Sequence, residues 1–146
     1  KERGMLCFFG QRTAAEDVRQ NFMAGIQHTE HLKRLTLPQV NQIRMSLCSS
    51  SLLQPCAGER WIAVGDAAFN VHPLGSAGVA RALRDAHLAP QALKDSPAEY
   101  EAFQRREYKS YLTQLERQYT SERRWPQSPF WTAMSNGRDL GKTSVL

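Results

Sequence analysis

Long hydrophobic runs are missing from this chain. No apolar stretch approaches the ~20 residues that span a bilayer, which argues against a transmembrane helix and a membrane partner. The opening Lys1-Glu2-Arg3-Gly4 and the short apolar stretch after it do not have the form of a secretory leader, so a cytoplasmic location is expected. Cysteine is scarce: Cys7, Cys48 and Cys56 are an odd number at spacings that fit no zinc pattern. Reduced thiols in a cytosolic setting are the corresponding expectation. His28 and His31 are near neighbours, but no third ligand stands at a convincing spacing; surface histidines explain them better than a metal site. Internal repeats and low-complexity tracts are absent. So is a Gly-x-Gly-x-x-Gly turn after a first strand, the mark of a dinucleotide site.

What is present is a globular composition. At 146 residues the chain is long enough for one core of ordinary size. Its 41% apolar and 23% charged residues are those of a folded domain, not a disordered tail. The net charge of +5 raises the question of nucleic acid. However, Glu101, Glu107, Glu116 and Glu122 lie among Arg105, Arg106, Lys109, Arg117, Arg123 and Arg124. Alternating signs read as a solvated helix face, so no nucleic-acid partner is expected.

Met5–Phe9 is a strand candidate by its apolar and aromatic content. Thr13-Ala14-Ala15-Glu16 has the form of a capping box, and Val18, Phe22 and Ile26 follow on one helix face. A second short helix is expected through His31 and Leu35, stopping before Pro38. Val40–Leu47 alternates loosely, as a strand crossing back over a sheet would. Ser49 to Pro55 suggests irregular backbone or a short edge segment. Trp61–Val64 is the expected buried strand. Gly75–Leu88 is read as a helix with Val79, Ala82, Leu83 and Ala86 inward, and Pro90 must kink or end it. Ser96-Pro97-Ala98-Glu99 forms a second capping box, opening a helix to about Arg124. Tyr100, Phe103, Tyr111, Leu115 and Tyr119 make an aromatic stripe on it, read as packing. Pro126 and Pro129 end the regular pattern, and a mobile tail is expected from Asn136 to Leu146.

The chemistry concentrates in Arg60 to Ala86. An apolar strand runs into Gly65-Asp66-Ala67-Ala68; Pro73 follows, then Gly75, Ser76, Ala77 and Gly78, where a helix begins. A carboxylate at such a corner is costly to bury unless it receives hydrogen bonds. A polyhydroxylated ligand supplies those donors, and Gly65 lets the backbone approach closely. Free amides and the helix dipole at Gly75–Gly78 suit a partial negative charge. His72, beside this loop, is a candidate to position substrate or move a proton. Ser76 lacks the Gly-x-Ser-x-Gly spacing of a nucleophile elbow. Cys48 and Cys56 show no mark of reactivity.

This run resembles the second flavin-contacting motif of FAD-dependent monooxygenases of the aromatic-hydroxylase superfamily. A second segment agrees with it: Tyr119, Glu122, Arg123-Arg124-Trp125-Pro126 and Pro129-Phe130-Trp131 resemble the close of one branch. That branch holds the halogenase-like proteins and the hydroxylases that mature protein-derived quinone cofactors. The resemblance runs from about Met5 to Trp131. There are departures. Gly75-Ser76-Ala77-Gly78 stands where much of the family has Gly-x-Gly, and His72 stands where relatives often carry an acidic residue. Thr132-Ala133 replaces arginines after the Phe-Trp pair.

The resemblance implies an α/β architecture: the C-terminal part of a glutathione-reductase-like FAD fold, with the end of an inserted substrate sheet and a long C-terminal helix. Residues 1–47 would close the substrate domain, 48–94 would be the FAD-binding strand–loop–helix, and 95–146 the C-terminal helix and tail. Gly65, Asp66, Ala67, Pro73, Gly75, Ser76, Ala77 and Gly78 would hold FAD, with Asp66 accepting from a ribityl hydroxyl. No catalytic residue is assigned. The implied activity is hydroxylation of an electron-rich aromatic group, in a small molecule or a protein side chain, through a flavin C4a-hydroperoxide. The reductant would be NAD(P)H or another donor. The adenine half of the site would lie in an N-terminal half of the same protein, which fits the missing Gly-x-Gly-x-x-Gly. A flavin-dependent halogenase, with its lysine upstream, is the rival within the enzyme class. A non-catalytic module that binds a partner through the Pro97–Arg124 helix and the Trp125–Trp131 hook is the alternative outside it.

Overall fold

The computed structural model describes Cys7, residues 15–34, Arg44, Ser46, and residues 48–136 and 142–145. They fall into two compact units, 1–47 and 48–146. In the first, α1 spans Ala15–His28 and a 3-10 turn spans Leu32–Arg34. The expected helix face is present, with Ile26 buried and Val18 and Phe22 half-buried. The turn stands where a second short helix was expected, and Leu35 lies outside the described residues. So do Thr13 and most of the strand candidates Met5–Phe9 and Val40–Leu47; the described Cys7, Arg44 and Ser46 are in no regular element.

The second unit is mixed α/β and mostly helical. Its strands are short: β1 Ser51–Gln54, β2 Ala57–Gly58, β3 Trp61–Ile62, β4 Phe69–Asn70 and β5 Lys142–Val145. Three make a sheet in the order β4-β1-β5. β4 runs antiparallel to β1, pairing Leu52 with Phe69. β5 runs parallel to it, pairing Ser51 with Lys142. The segment read as irregular or an edge is thus the central strand, and Lys142–Val145, read as mobile tail, is a strand. Neither assignment was open to local reading, because β5 pairs with a segment far away in sequence. Successive side chains of β1 point to opposite faces. Leu52 joins Phe69, Val71 and Tyr108, whereas Leu53 packs on Cys56, Ala57, Ala68 and Tyr100.

The strand expected at Trp61–Val64 is shorter and differently placed. β3 pairs antiparallel with β2, Gly58 opposite Trp61 and Ala57 opposite Ile62. Trp61 is 42% exposed, so this is a surface ribbon, not a buried strand.

Two long helices follow. α2 spans Gly78–Asp95 and α3 spans Pro97–Ser121. α2 starts later than expected, because Pro73–Gly75 form their own 3-10 turn. It also runs through Pro90, which was expected to kink or end it. Proline deprives one carbonyl of its helical partner; here that carbonyl belongs to Ala86, which is exposed to water. Of the residues expected inward on α2, Ala82 is half-buried against Gly65, but the others are not. Val79 and Leu83 are 76% and 69% exposed and Ala86 is exposed, while Arg81 and Asp85 are buried.

Ser96 caps α3 as expected, its hydroxyl accepting from the Glu99 amide at 3.3 Å. The reciprocal half of the box is missing, because the Ser96 amide already donates to the Ala92 carbonyl at 3.0 Å. α2 and α3 abut, so one cap serves both ends. Tyr100, Gln104, Tyr108, Leu115 and Tyr119 form the buried face of α3, with Tyr108 where the sequence suggested Tyr111. Arg105 pairs with Glu101 at 2.8 Å on the exposed side. A short helix, α4 Pro129–Ser135, follows the two prolines that seemed to end the pattern. Pro129 is in its first turn, a position where a missing amide costs nothing.

Candidate flavin-facing site

The site begins where β3 ends. Val64 is extended, and Gly65–Ala67 form a 3-10 turn, with the Ala67 amide donating to the Val64 carbonyl at 3.2 Å. Gly65 has φ +58, a left-handed conformation that side chains disfavour. A Cβ placed there would stand 2.9 Å from the Ala82 Cβ. The glycine thus allows both the sharp corner and its close contact with α2.

That contact is held by charge. The Gly65 amide donates to Asp85 Oδ2 at 3.3 Å, and its carbonyl accepts from Arg81 Nη1 at 3.1 Å. Arg81 Nη2 donates to Asp66 Oδ1 at 2.9 Å. Arg81 and Asp85 are four apart on α2, so both reach one corner from one face. Arg84 extends the network, bonding Asp85 Oδ1 at 3.1 Å and pairing with Glu107 of α3. The Arg81 guanidinium also lies 3.8 Å from the Phe69 ring centroid, and Arg84 lies 4.9 Å from that of Phe103. This explains the buried charges on α2: they meet the amide, carbonyl and carboxylate of the corner and lie against the Phe69 and Phe103 rings.

Asp66 is the outward end of the network. Its side chain is 72% exposed, against 7% for Arg81 and 0% for Asp85. It stands at the start of α2, where the Gly78 Cβ position is 3.8 Å from Asp66 Oδ1. Ala77, the residue before α2, makes no side-chain cap. The first α2 amide bonded back along the chain is that of Arg81, donating to the Ala77 carbonyl at 3.1 Å. The Gly78, Val79 and Ala80 amides therefore have no helical partner. An exposed carboxylate and an uncapped helix start share one surface.

The other predicted residues place as follows. Ala67 and Pro73 are exposed, Pro73 opening the Pro73–Gly75 turn. Gly75 is exposed, with nothing within 4 Å of a Cβ position. Ser76 takes a left-handed φ of 51, and its amide donates to the Pro73 carbonyl at 3.1 Å. Ala77 is exposed and Gly78 half-buried. The structure thus brings Asp66 to Gly78.

His72 does not stand over the loop, as a role in positioning substrate would need. It is 6% exposed and turned inward, edge-on to Tyr119 with ring centroids 5.9 Å apart. The Tyr119 hydroxyl is 3.4 Å from its ring nitrogens. Burial lowers the His72 pKa, which favours neutral imidazole, and pushes Tyr119 up to about 12. A buried ring against α3 does not stand over an open loop.

Arg81, Arg84 and Asp85 were missed as site residues. The opposite charges of Arg81 and Asp85 at helical spacing were the available signal. The apolar pair Val79 and Leu83 on the other face masked it. Elsewhere, Trp125 and Trp131 stack at 5.9 Å, and Trp131 lies 5.8 Å from Tyr119, so the C-terminal hook is tied to α3. A cleft of about 220 Å³ there is lined by Glu122, Trp125 and Trp131 and by none of the predicted site residues. Arg124 hydrogen bonds hold the Glu122 carboxyl down at about 2. Burial raises the Cys56 thiol to about 11, which keeps it protonated and unreactive. Among the described residues, no group of three or more His, Cys, Asp or Glu is placed to hold a metal. No described helix is long and apolar enough to cross a membrane.

No family model matches the chain, and no solved structure matches it. A curated protein of Marinomonas mediterranea, named "Putative FAD-dependent oxidoreductase LodB", does. It is 35% identical over 96 residues, which cover 63% of this chain and 25% of the relative. The chain spans about a quarter of that protein's length.

Proposed function

We propose that this chain carries the ribityl- and ring-facing part of an FAD site in an FAD-dependent oxidoreductase. The observation that carries the reading is the Asp66 carboxylate, exposed beside the uncapped start of α2. The name of the Marinomonas relative supports the same cofactor. The residues present fit the group. Asp66 offers an acceptor to sugar-alcohol hydroxyls. The Gly78, Val79 and Ala80 amides offer donors and a positive dipole end to an electron-rich carbonyl edge. Gly75 leaves the approach open. Bound there, FAD would supply redox chemistry and, with dioxygen, oxygen transfer to an electron-rich aromatic group. The chain's own part is binding and orientation. An adenine- and pyrophosphate-binding half would complete such a site, and the exposed Val79 and Leu83 face of α2 offers it a contact surface.

The hydroxylase reading over an unspecified oxidoreductase rests on the resemblance of the Arg60–Ala86 run, with the Tyr119–Trp131 segment shared by halogenase-like relatives. The test uses the longest natural polypeptide that carries this chain. The wild type should purify yellow or take up added FAD, and Asp66→Ala should weaken FAD retention about tenfold while leaving the fold intact. A wild-type protein that stays colourless with added FAD would sink the flavin reading. Unchanged FAD content in Asp66→Ala would sink this placement of the site.

A further inference from the structure

Asp66 and Arg81 are both polar, but they stand in opposite environments. A carboxylate on the surface rotates freely, and ordering it on a ligand costs entropy. An exposed ion pair rarely prevents that, because both side chains must be immobilised. Here one of the two is already fixed. The Arg81 side chain is 7% exposed, lies against the Phe69 ring and is 3.9 Å from Asp85 Oδ2. Its two terminal nitrogens grip adjacent residues of one corner: the Gly65 carbonyl at 3.1 Å and Asp66 Oδ1 at 2.9 Å. Asp66 Oδ2 has no partner among the described residues.

We propose that Arg81 is a positioning residue of the flavin site: by holding Asp66 Oδ1 it leaves Oδ2 oriented as the acceptor for a ribityl hydroxyl. This rests on the FAD reading above. The planar fork suits the task, since lysine concentrates its charge on one atom and cannot span two oxygens in fixed geometry. Asp85 completes the device by holding the Gly65 amide, so backbone and carboxylate are registered to one turn of α2.

The experiment is a double-mutant cycle of Arg81→Lys and Asp66→Ala in the longest natural polypeptide. FAD affinity is read from quenching of flavin fluorescence, and the fold from thermal unfolding of the apoprotein. Arg81→Lys should weaken FAD binding about tenfold in the wild-type background and less than about twofold in Asp66→Ala, because its effect passes through Asp66. A purely structural role would give the same loss in both backgrounds and would overturn the proposal. So would unchanged affinity in Arg81→Lys. If Asp66→Ala alone leaves affinity intact, the placement of the flavin site has failed, and the positioning role with it. Should the lysine variant not fold, Arg81→Gln combined with Asp85→Asn leaves no buried charge uncompensated and carries the same cycle.

Discussion

Tyr111 accepts the amide hydrogen of His72 through its hydroxyl at 2.6 Å, and the same hydroxyl bonds Ser50 Oγ at 2.8 Å. One side chain in the middle of α3 thus pins the loop before α2 and the approach to β1. Tyr111→Phe removes both bonds and leaves a buried amide without its acceptor. We expect a loss of about 1–3 kcal/mol in stability, measured by urea unfolding. Hydrogen exchange over residues 72–78 should rise in the same variant. A stability within error of wild type would show that water replaces the tyrosine hydroxyl.

Gly65 and Ser76 both adopt positive φ, 58 and 51, yet substitution should act in opposite directions. Gly65→Ala adds backbone strain and a 2.9 Å clash with Ala82. The strain alone is worth about 1–3 kcal/mol, so a loss above that range is expected in denaturant unfolding. Ser76→Gly relieves strain on an exposed residue and should stabilise by up to about 1 kcal/mol. Equal effects of the two would contradict the corner geometry.

Asp85 and Glu107 hold the two ends of the arginine network under different solvation. Asp85 is fully buried, and Asp85→Ala removes the buried carboxylate between Arg81 and Arg84 and leaves the Gly65 amide without its acceptor; a loss of about 3–5 kcal/mol is expected. Glu107 is 37% exposed, so Glu107→Gln should cost less than about 1 kcal/mol. Thermal unfolding of the two variants side by side checks the ranking.

His72 predicts a pH dependence. Burial depresses its folded pKa below the ordinary value of about 6.5, so the unfolded chain binds the proton more readily. Its contribution is intact above pH about 6.5 and is lost as pH falls below that, towards the folded pKa. Unfolding free energy between pH 7.5 and 5.5 should therefore drop more steeply in wild type than in His72→Gln. An identical slope would mean that another group titrates.

The elements that rest on local chemistry were legible in the chain. Ser96 and Pro97 open α3 because capping needs only a hydroxyl and a ring that lacks an amide. The Gly65-Asp66 corner follows from a glycine after an apolar strand. The apolar face of α1 follows from residues three and four apart. What was misread depended on distant partners. β5 became a strand because β1 lies beside it. Pro90 was tolerated because the residue whose carbonyl it deprives, Ala86, is exposed.

The sequence by itself determined that a carboxylate, flexible glycines and a helix start would meet in one short segment, since all lie within residues 65–78. Only the tertiary structure decided which face of α2 meets that corner. Hydrophobic periodicity favoured Val79 and Leu83, but the corner presents an amide, a carbonyl and a carboxylate. Such groups are satisfied by a buried Arg81–Asp85 pair and not by methyl groups. That choice left Asp66, at 72%, as the most exposed carboxylate of the network.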